Sequence, residues 1–379
     1  MSSDSDVFIV SAVRTPIGVG KASGALYPFQ PVELAAAVLQ EAVRRAGIDP
    51  SRVEDVIWGV VTPIGDQGAN LARLAALKAG FPASVPGVSL NRMCGSGQQA
   101  VHFAAQAILA GDAEIVIAGG SEMMSHQPLG ADYPAEFPEL GHKLIHQGES
   151  AERMAKKWHL TREALDDYAF QSHVRAGQAM RAGFFDTQIL PVTLPDGRVF
   201  SADEGVRPAP DREKMAGLPP VFRKKGLITA GNSSQVSDGA AALVLASPDA
   251  VGRYNLMPLA RIETRIVVGS DPTLMLDGPI AATHKALKRA GLGLDEMEVI
   301  EINEAFASVV LAWARELDAD LSRVNPNGGA IAHGHPLGAT GAILMTKLVY
   351  ELERRKARYG LQSMCIGHGM ATATIIERV

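Results

Sequence analysis

Apolar and polar positions along the chain alternate with the periods of helices and strands, and one order of elements occurs twice. Residues 33–59 have the pattern of an amphipathic helix, a glycine-centred turn and a buried strand. Residues 278–303 have the same pattern, and the helix ends in Arg-Ala-Gly in both copies, with a one-residue gap between that glycine and the strand. The pattern therefore predicts an internal duplication.

A second pair of segments extends the duplication. A glycine-started helix at 95–110 leads into a buried strand at 113–120, and another from about Gly338 leads into a strand and a glycine turn at 361–369. Alternating strands and helices favour a mostly parallel sheet with helices on its faces. We therefore predict two α/β halves that pack against each other around a pseudo-twofold axis.

The segment between the two halves, roughly 121–250, has a different character. It contains proline-rich loops around a helix near 150–158 and a second helical stretch at 161–180, for which Thr161 fits the N-cap position. Long, loop-rich insertions on a rigid scaffold more often cover a ligand than fill a core. We expect this insertion to cover a binding site.

Composition and charge narrow the class of protein. The 379 residues are 47% hydrophobic and 20% charged, with a net charge of −5, so neither nucleic acid nor a membrane surface is expected as a partner. No apolar run is long enough for a spanning helix. The first residues lack the basic and apolar regions of a secretory signal, which makes the cytoplasm the expected location.

The chain has only two cysteines, Cys94 and Cys365. A disulfide between them is disfavoured by a reducing compartment and by the size of the chain, which leaves one or two reactive thiols. Cys94 precedes a predicted helix, where free N–H groups and the helix dipole favour a thiolate. The alternative is a small buried cysteine that packs under the helix.

Three further segments place polar residues at strand ends or helix starts. In the glycine-rich segment 325–342, a thiol-activating role for His335 fits better than a phosphate loop or a metal pair with His333, because no nearby cluster completes a ligand set. Asn303 ends a strand, where it can hold a water or cap the next helix. Cys365 ends another strand, before a glycine turn whose N–H groups suit an oxyanion hole. Ligands usually bind at such strand ends.

These segments resemble the motifs of the thiolase family, and the resemblance extends over essentially the whole chain. The motifs are NRMCGSGQQA at 91–100, NEAFA at 303–307, NGGAIAHGHPLGATG at 327–341 and CIGHG at 365–369. Within the family the chain looks most like bacterial degradative enzymes, including those that act on bulky or steroid-derived acyl-CoA.

The resemblance implies an α/β fold of five layers, αβαβα, built from duplicated βαβαβαββ halves with a loop-domain insertion. The N-terminal half is expected at 1–120, completed by about 240–257, and the C-terminal half at 258–379. The loop domain is expected at 121–239, over the CoA site. A homodimer or homotetramer is also implied.

The resemblance further implies a 3-ketoacyl-CoA thiolase of fatty-acid or steroid β-oxidation, which cleaves its substrate with CoA into acetyl-CoA and a shortened acyl-CoA. Cys94 is then the nucleophile that carries the acyl group, His335 its activating base and Cys365 the acid/base thiol. Asn303, through a water, and His335 form one oxyanion hole, and the N–H groups of Cys94 and Gly367 form the other. CoA is a substrate, and no metal or other cofactor is expected.

Six residues match the positions in the family that contact the substrate. Arg207 is expected near the adenine and phosphates, Phe222, Ala230 and Ser234 beside the pantetheine, and His146 and Phe306 at the acyl end. Two alternative functions are condensation of two acetyl-CoA molecules and binding of acyl-CoA or lipid without catalysis.

The chain departs from the family pattern at two positions. Gln147 stands where the family's His-Met-Gly has methionine, which questions a preference for short, linear substrates. His368 interrupts a final loop that commonly has small residues, and we expect its ring to point outward.

Overall fold

The structure, a computed structural model, describes residues 6–137 and 139–379. The strands in this part of the chain are β1 Phe8–Arg14, β2 Gly18–Val19, β3 Asp55–Gly59, β4 Val88–Leu90, β5 Ile115–Met123, β6 Val192–Thr193, β7 Val199–Phe200, β8 Ser237–Ala246, β9 Ala260–Gly269, β10 Met297–Ile302, β11 Tyr359–Ile366 and β12 Met370–Arg378. The α-helices are α1 Pro31–Ala46, α2 Leu71–Lys78, α3 Ser96–Ala110, α4 Gln147–Lys157, α5 Arg162–Arg181, α6 Arg212–Ala216, α7 Pro248–Tyr254, α8 Gly278–Ala290, α9 Ala307–Leu317, α10 Ala330–His333 and α11 Leu337–Arg355.

The predicted duplication is visible in the order of these elements. In the first copy α1 leads into β3 and α3 into β5, and in the second α8 leads into β10 and α11 into β11. Both α1 and α8 end at a glycine in the left-handed conformation, Gly47 and Gly291, which is why Arg-Ala-Gly marks both helix ends.

One mixed sheet joins the two halves, with the strand order β10-β11-β12-β9-β1-β8-β5-β3-β4 and β2 paired with β8. The halves meet where β1 pairs with β9 over two residue pairs. Strand β3 is parallel to β4 and β5, and β10 is parallel to β11, but β8 and β12 run antiparallel to both of their long neighbours. The expectation of a mostly parallel sheet is therefore wrong. Each half ends in a returning strand, and the short turn between β11 and β12 permits only antiparallel pairing.

Three large apolar cores lie between five layers, and the central core includes both faces of the middle layer, which α3 and α11 form. Val10 of β1 belongs to an outer core with α1 and α2, whereas its neighbour Ile9 belongs to a central core with α3 and α11. In β12, Ile376 packs in that central core and Ile375 in a second outer core with α8 and α9. Adjacent residues of one strand face opposite sides of the sheet. The order is thus αβαβα, as the resemblance implies.

The inserted segment contributes α4 and α5, which pack into the outer core of the second half through residues such as Met154 and Ala169. Thr161 caps α5 as predicted, because its hydroxyl accepts a hydrogen bond from the backbone N–H of Ala164 at 3.1 Å. Helix α4 begins at Gln147, earlier than expected. The domain boundaries given above stay a prediction. Within 6–137 and 139–379, none of the helices has the length and apolar character needed to cross a membrane.

Candidate active site

Two catalytic candidates stand at the starts of two buried helices that touch. Cys94 lies two residues before α3, and His335 lies two residues before α11. A Cβ on Gly97 would lie 2.8 Å from the carbonyl oxygen of Gly338, so the backbones approach more closely than any side chain would allow. The duplicated helices therefore bring the two motifs together at one end of the central layer.

The third motif, after β11, packs against the same place. A Cβ on Gly95 would lie 2.3 Å from Cδ1 of Ile366. The backbone N–H of the next residue, Gly367, donates a hydrogen bond to the sulfur of Cys94, as does the N–H of Cys94 itself. The two N–H groups that the resemblance assigns to one oxyanion hole thus point at the same sulfur.

Burial dominates the electrostatics of Cys94. Removal from water raises the pKa of this thiol to about 11, and the negative charge of Glu122 adds a smaller rise. Hydrogen bonds from the N–H groups of Gly367 and Cys94 and from the Gln147 side chain act in the opposite direction. The expectation of a thiolate at the helix start is therefore wrong, because burial outweighs the helix N-terminus.

His335 is held as a neutral base with a defined tautomer. Its Nδ1 lies 2.7 Å from the hydroxyl of Thr340, and that hydroxyl donates its hydrogen to the carbonyl oxygen of Pro336 at 2.8 Å. Because the hydroxyl accepts at its oxygen, Nδ1 must carry the imidazole hydrogen, and Nε2 keeps a lone pair. Burial lowers the pKa of His335 to about 4, so the ring is uncharged at neutral pH.

Asn303 faces His335 across the site. Its side-chain Nδ2 lies 3.3 Å from Nε2 of His335. The helix that follows begins at Ala307 with Phe306 as its N-cap residue, so the alternative that Asn303 caps it is wrong. The buried Oδ1 of Asn303 accepts no hydrogen bond from the described part of the chain, a demand that a water or a substrate group can meet.

Cys365 completes the set at the end of β11. Both cysteines are buried and free, which agrees with the expectation of no disulfide. Burial raises the pKa of the Cys365 thiol, and the charge of Cys94 raises it further. The two sulfurs are thus close enough to influence each other, and both are thiols at neutral pH.

Two residues that position these groups were missed by the sequence analysis. Glu122, at the end of β5, accepts hydrogen bonds from the backbone N–H groups of Val61, Thr62 and Gly338 at 2.8, 3.1 and 2.8 Å, and so fixes the start of α11. Its position near the end of a buried strand was an available signal. Thr340 fixes the tautomer of His335, and nothing in the spacing of the motif indicated that contact.

A cavity of about 640 Å³ opens onto His335. Its wall is mainly apolar and includes Tyr133, Phe137 and Met275. Of the six predicted substrate contacts, four line this cavity, namely His146, Phe222, Ser234 and Phe306. Arg207 and Ala230 lie outside this lining on the exposed surface, and their contact with CoA stays a prediction.

His368 also lines the cavity, so the expectation of an outward ring is wrong. The ring centroid lies 6.1 Å from that of Tyr133 and 5.9 Å from that of Phe137. His368 has a left-handed φ of 64°, which turns the backbone between β11 and β12 and aims the side chain at these rings. The sequence did not determine the direction of this side chain because it depends on contacts with the distant insertion.

His333 has a structural role. Its Nδ1 lies 2.7 Å from Asp203, whose carboxylate also pairs with the buried Arg14, and its Nε2 lies 2.9 Å from the carbonyl oxygen of Asn327. Both ring nitrogens are therefore engaged, and a metal pair with His335 has no support. In the described residues, no group of three His, Cys, Asp or Glu side chains is arranged to hold a metal ion.

Comparisons with known proteins identify the family of this chain. The family model described as "Thiolase, N-terminal domain" matches residues 7–249, and "Thiolase, C-terminal domain" matches 256–378. Steroid 3-ketoacyl-CoA thiolase FadA6 of Mycobacterium tuberculosis is 47% identical over 99% of this chain and 94% of the relative. An acetyl-CoA acetyltransferase of Cupriavidus necator is 44% identical over 98% of this chain and 99% of the relative. The crystal structure of human mitochondrial 3-ketoacyl-CoA thiolase, 40% identical, has a TM-score of 0.92 and covers 99% of both chains.

Proposed function

The chain belongs to the thiolase family of acyltransferases, and from this premise we propose that it is a 3-ketoacyl-CoA thiolase of fatty-acid or steroid β-oxidation. It takes 3-ketoacyl-CoA and CoA and forms acetyl-CoA and an acyl-CoA shortened by two carbons. The observation that carries the proposal is one arrangement: the buried Cys94 thiol, contacted by three donors, and the neutral imidazole of His335 stand at the starts of two touching helices.

In the first half of the proposed reaction, Nε2 of His335 takes the proton of Cys94 while the sulfur attacks the 3-keto carbon. The N–H groups of Cys94 and Gly367 stabilise the oxyanion that forms. The bond between C2 and C3 then breaks, and the electron pair leaves as the enolate of acetyl-CoA. Protonated His335 and a water on Asn303 stabilise the enolate oxygen, and the Cys365 thiol protonates its carbon.

In the second half, the Cys365 thiolate takes the proton of incoming CoA, whose sulfur attacks the acyl group on Cys94. The same two N–H groups stabilise the second oxyanion, and its collapse expels the Cys94 sulfur. His335 returns the proton, and both thiols and the imidazole regain their starting states. The atoms balance with CoA as a substrate and without a metal or redox cofactor.

The pKa values explain why proton transfer and attack occur together. Burial raises the pKa of Cys94 to about 11 and lowers that of His335 to about 4. A free thiolate–imidazolium pair is therefore disfavoured before substrate arrives. The negative charge is instead passed from the sulfur to the substrate oxygen, where the N–H groups of Cys94 and Gly367 stabilise it.

The walls of the cavity support an apolar acyl group. The cavity of about 640 Å³ includes residues expected beside the pantetheine, Phe222 and Ser234, and residues expected at the acyl end, His146 and Phe306. The rings of Tyr133, Phe137, Phe222 and Phe306 line it, and aromatic walls favour an apolar ligand. The name of the FadA6 relative also supports a bulky substrate. We therefore propose long or ring-bearing 3-ketoacyl-CoA molecules as the preferred substrates.

The test is cleavage of a panel of 3-ketoacyl-CoA substrates by the purified protein with free CoA. We expect kcat/KM to be higher for long or ring-bearing substrates than for acetoacetyl-CoA, and Cys94→Ala to be inactive with all of them. If acetoacetyl-CoA is preferred and two acetyl-CoA condense readily, the biosynthetic alternative is correct, which the acetyl-CoA acetyltransferase relative favours. Binding without turnover would establish the non-catalytic alternative.

A cytoplasmic location and assembly into a homodimer or homotetramer belong to the same proposal. Family resemblance is the support for the assembly, and light scattering of the purified protein measures it directly. A monomer at micromolar concentration would contradict it.

A further inference from the structure

We propose that Gln147 is a further catalytic residue, whose side-chain amide donates a hydrogen bond to the Cys94 sulfur and stabilises the negative charge that develops there. The inference rests on the proposed function, because it assigns a role within the same reaction. It adds a third donor to the two backbone N–H groups already described.

The position of Gln147 in the fold directs its amide at the nucleophile. Gln147 is the first residue of α4, and the preceding residue, His146, caps that helix by accepting the N–H of Gly148 at 3.1 Å. The Gln147 side chain lines the cavity and hydrogen-bonds the Cys94 sulfur. Its Nε2 lies 3.3 Å from the place that a Cβ on Gly367 would occupy. The amide therefore reaches the sulfur beside the N–H of Gly367.

The chemistry of an amide identifies Gln147 as the donor in this contact. A thiolate only accepts hydrogen bonds, and the amide nitrogen offers two hydrogens. The contact lowers the pKa of Cys94, in opposition to burial. The methionine that the thiolase pattern has at this position offers no hydrogen, so this chain carries a donor that the pattern lacks. Substitution of Gln147 by methionine removes the donor and keeps the length of the side chain, so the proposal can be tested.

The consequence is a higher reactivity of Cys94 at neutral pH. Hydrogen bonds to charged groups are stronger than those between neutral groups, so removal of this donor should reduce the thiolate population by about tenfold to a hundredfold. The backbone N–H groups remain in place, so the effect is a reduction and not a complete loss. The same reduction is expected in kcat, because the charge is present during attack and expulsion and not during substrate binding.

The experiment measures alkylation of Cys94 by iodoacetamide as a function of pH, with the Cys94 peptide followed by mass spectrometry. Below its pKa, a thiol is alkylated at a rate proportional to its thiolate fraction. Gln147→Met keeps the length of the side chain and removes the N–H groups, and Gln147→Glu keeps the shape and adds a repelling charge. Gln106→Met is the matched control, because it makes the same change at an exposed position of α3.

We expect alkylation at pH 8 to slow about tenfold or more in Gln147→Met, to slow further in Gln147→Glu and to be unchanged in Gln106→Met. Wild-type alkylation rates in folded Gln147→Met and Gln147→Glu would overturn the inference, and circular dichroism establishes their folding. If Gln147→Met does not fold, Gln147→Glu alone decides, by the same rates. Because alkylation needs no acyl-CoA, a wild type that fails to cleave 3-ketoacyl-CoA but shows the Gln147 effect would refute the proposed function and the catalytic role, and would keep the hydrogen bond from Gln147 to Cys94.

Discussion

The two halves of the duplicated fold present different chemistry at equivalent helix starts. In the first half Cys94 precedes α3, and in the second His335 precedes α11. Burial acts on both in the same physical way and with opposite sign, since it raises the pKa of the thiol to about 11 and lowers that of the imidazole to about 4. Both groups are therefore neutral at rest, and one can serve as acid and the other as base.

The two helix starts also differ in how each group is held. Three donors surround the sulfur of Cys94, which suits a group that becomes negative. A single acceptor, the Thr340 hydroxyl, holds Nδ1 of His335, which suits a group that gains a proton at Nε2. Duplication thus supplies two equivalent positions, and the local side chains determine which charge each position stabilises.

The largest expected effect comes from removing the sulfur of Cys94 in the first half of the fold. Cys94→Ala should reduce kcat/KM for 3-ketoacyl-CoA cleavage by about 10⁴-fold or more, because no covalent acyl-enzyme forms. Cys365→Ala is the control, since it should keep alkylation of Cys94 while losing proton transfer to the enolate. Cleavage by Cys94→Ala at a tenth of the wild-type rate would show that Cys94 is not the nucleophile.

Removing the imidazole of His335 in the second half of the fold should have the next largest effect. His335→Asn should lower kcat by about 10²-fold to 10⁴-fold, the range typical of a general base, with the fold retained. Steady-state kinetics measures kcat, and circular dichroism establishes that the variant is folded. The matched control is His284→Asn on α8, a histidine outside the lining of the cavity, which should leave kcat unchanged. Equal rates for wild type and His335→Asn would remove His335 from the mechanism.

The sequence predicted the elements that depend on local pattern. The helices and strands of both copies and the cap at Thr161 follow from hydrophobic period and terminal residues. The positions of Cys94 and His335 before helix starts and of Cys365 at a strand end followed from the motifs and from the predicted elements. These features are encoded within short windows or within recognisable motifs.

The features that were not predicted depend on contacts between distant segments. Strand direction was misjudged because β8 lies after the insertion and returns between β1 and β5. The sign of the pKa shift at Cys94 depends on burial under the whole fold, which the helix start alone does not reveal. The contact of Gln147 with Cys94 and the inward ring of His368 both join the insertion to the site. Non-local packing decides each of these.

A measurement of the free energy of unfolding tests whether His335 is buried as a neutral ring. The pKa of His335 is lowered from 6.5 to about 4 in the folded protein, so between these values the unfolded chain binds a proton that the folded protein does not. The contribution of His335 to the free energy of unfolding is fully present above pH 6.5 and is lost as the pH falls toward 4. The unfolding free energy of both proteins should fall between pH 7 and pH 4.5, and the fall should be about 2 kcal/mol smaller in His335→Gln than in wild type. Urea denaturation at the two pH values measures it. Identical losses would mean that His335 is not buried as a neutral ring.

The smallest expected effect tests how His335 is held. Thr340→Val keeps the shape of the side chain and removes the acceptor of the Nδ1 hydrogen, so the other tautomer is no longer disfavoured. With Nε2 protonated about half of the time or more, kcat should fall about twofold to tenfold, while KM changes little because Thr340 does not line the cavity. Thr340→Ser restores the hydroxyl and should recover most of the rate. A Val variant with wild-type kcat would show that the contact of Asn303 with Nε2 alone sets the tautomer, and the difference between the two helix starts would then lie only in their charge.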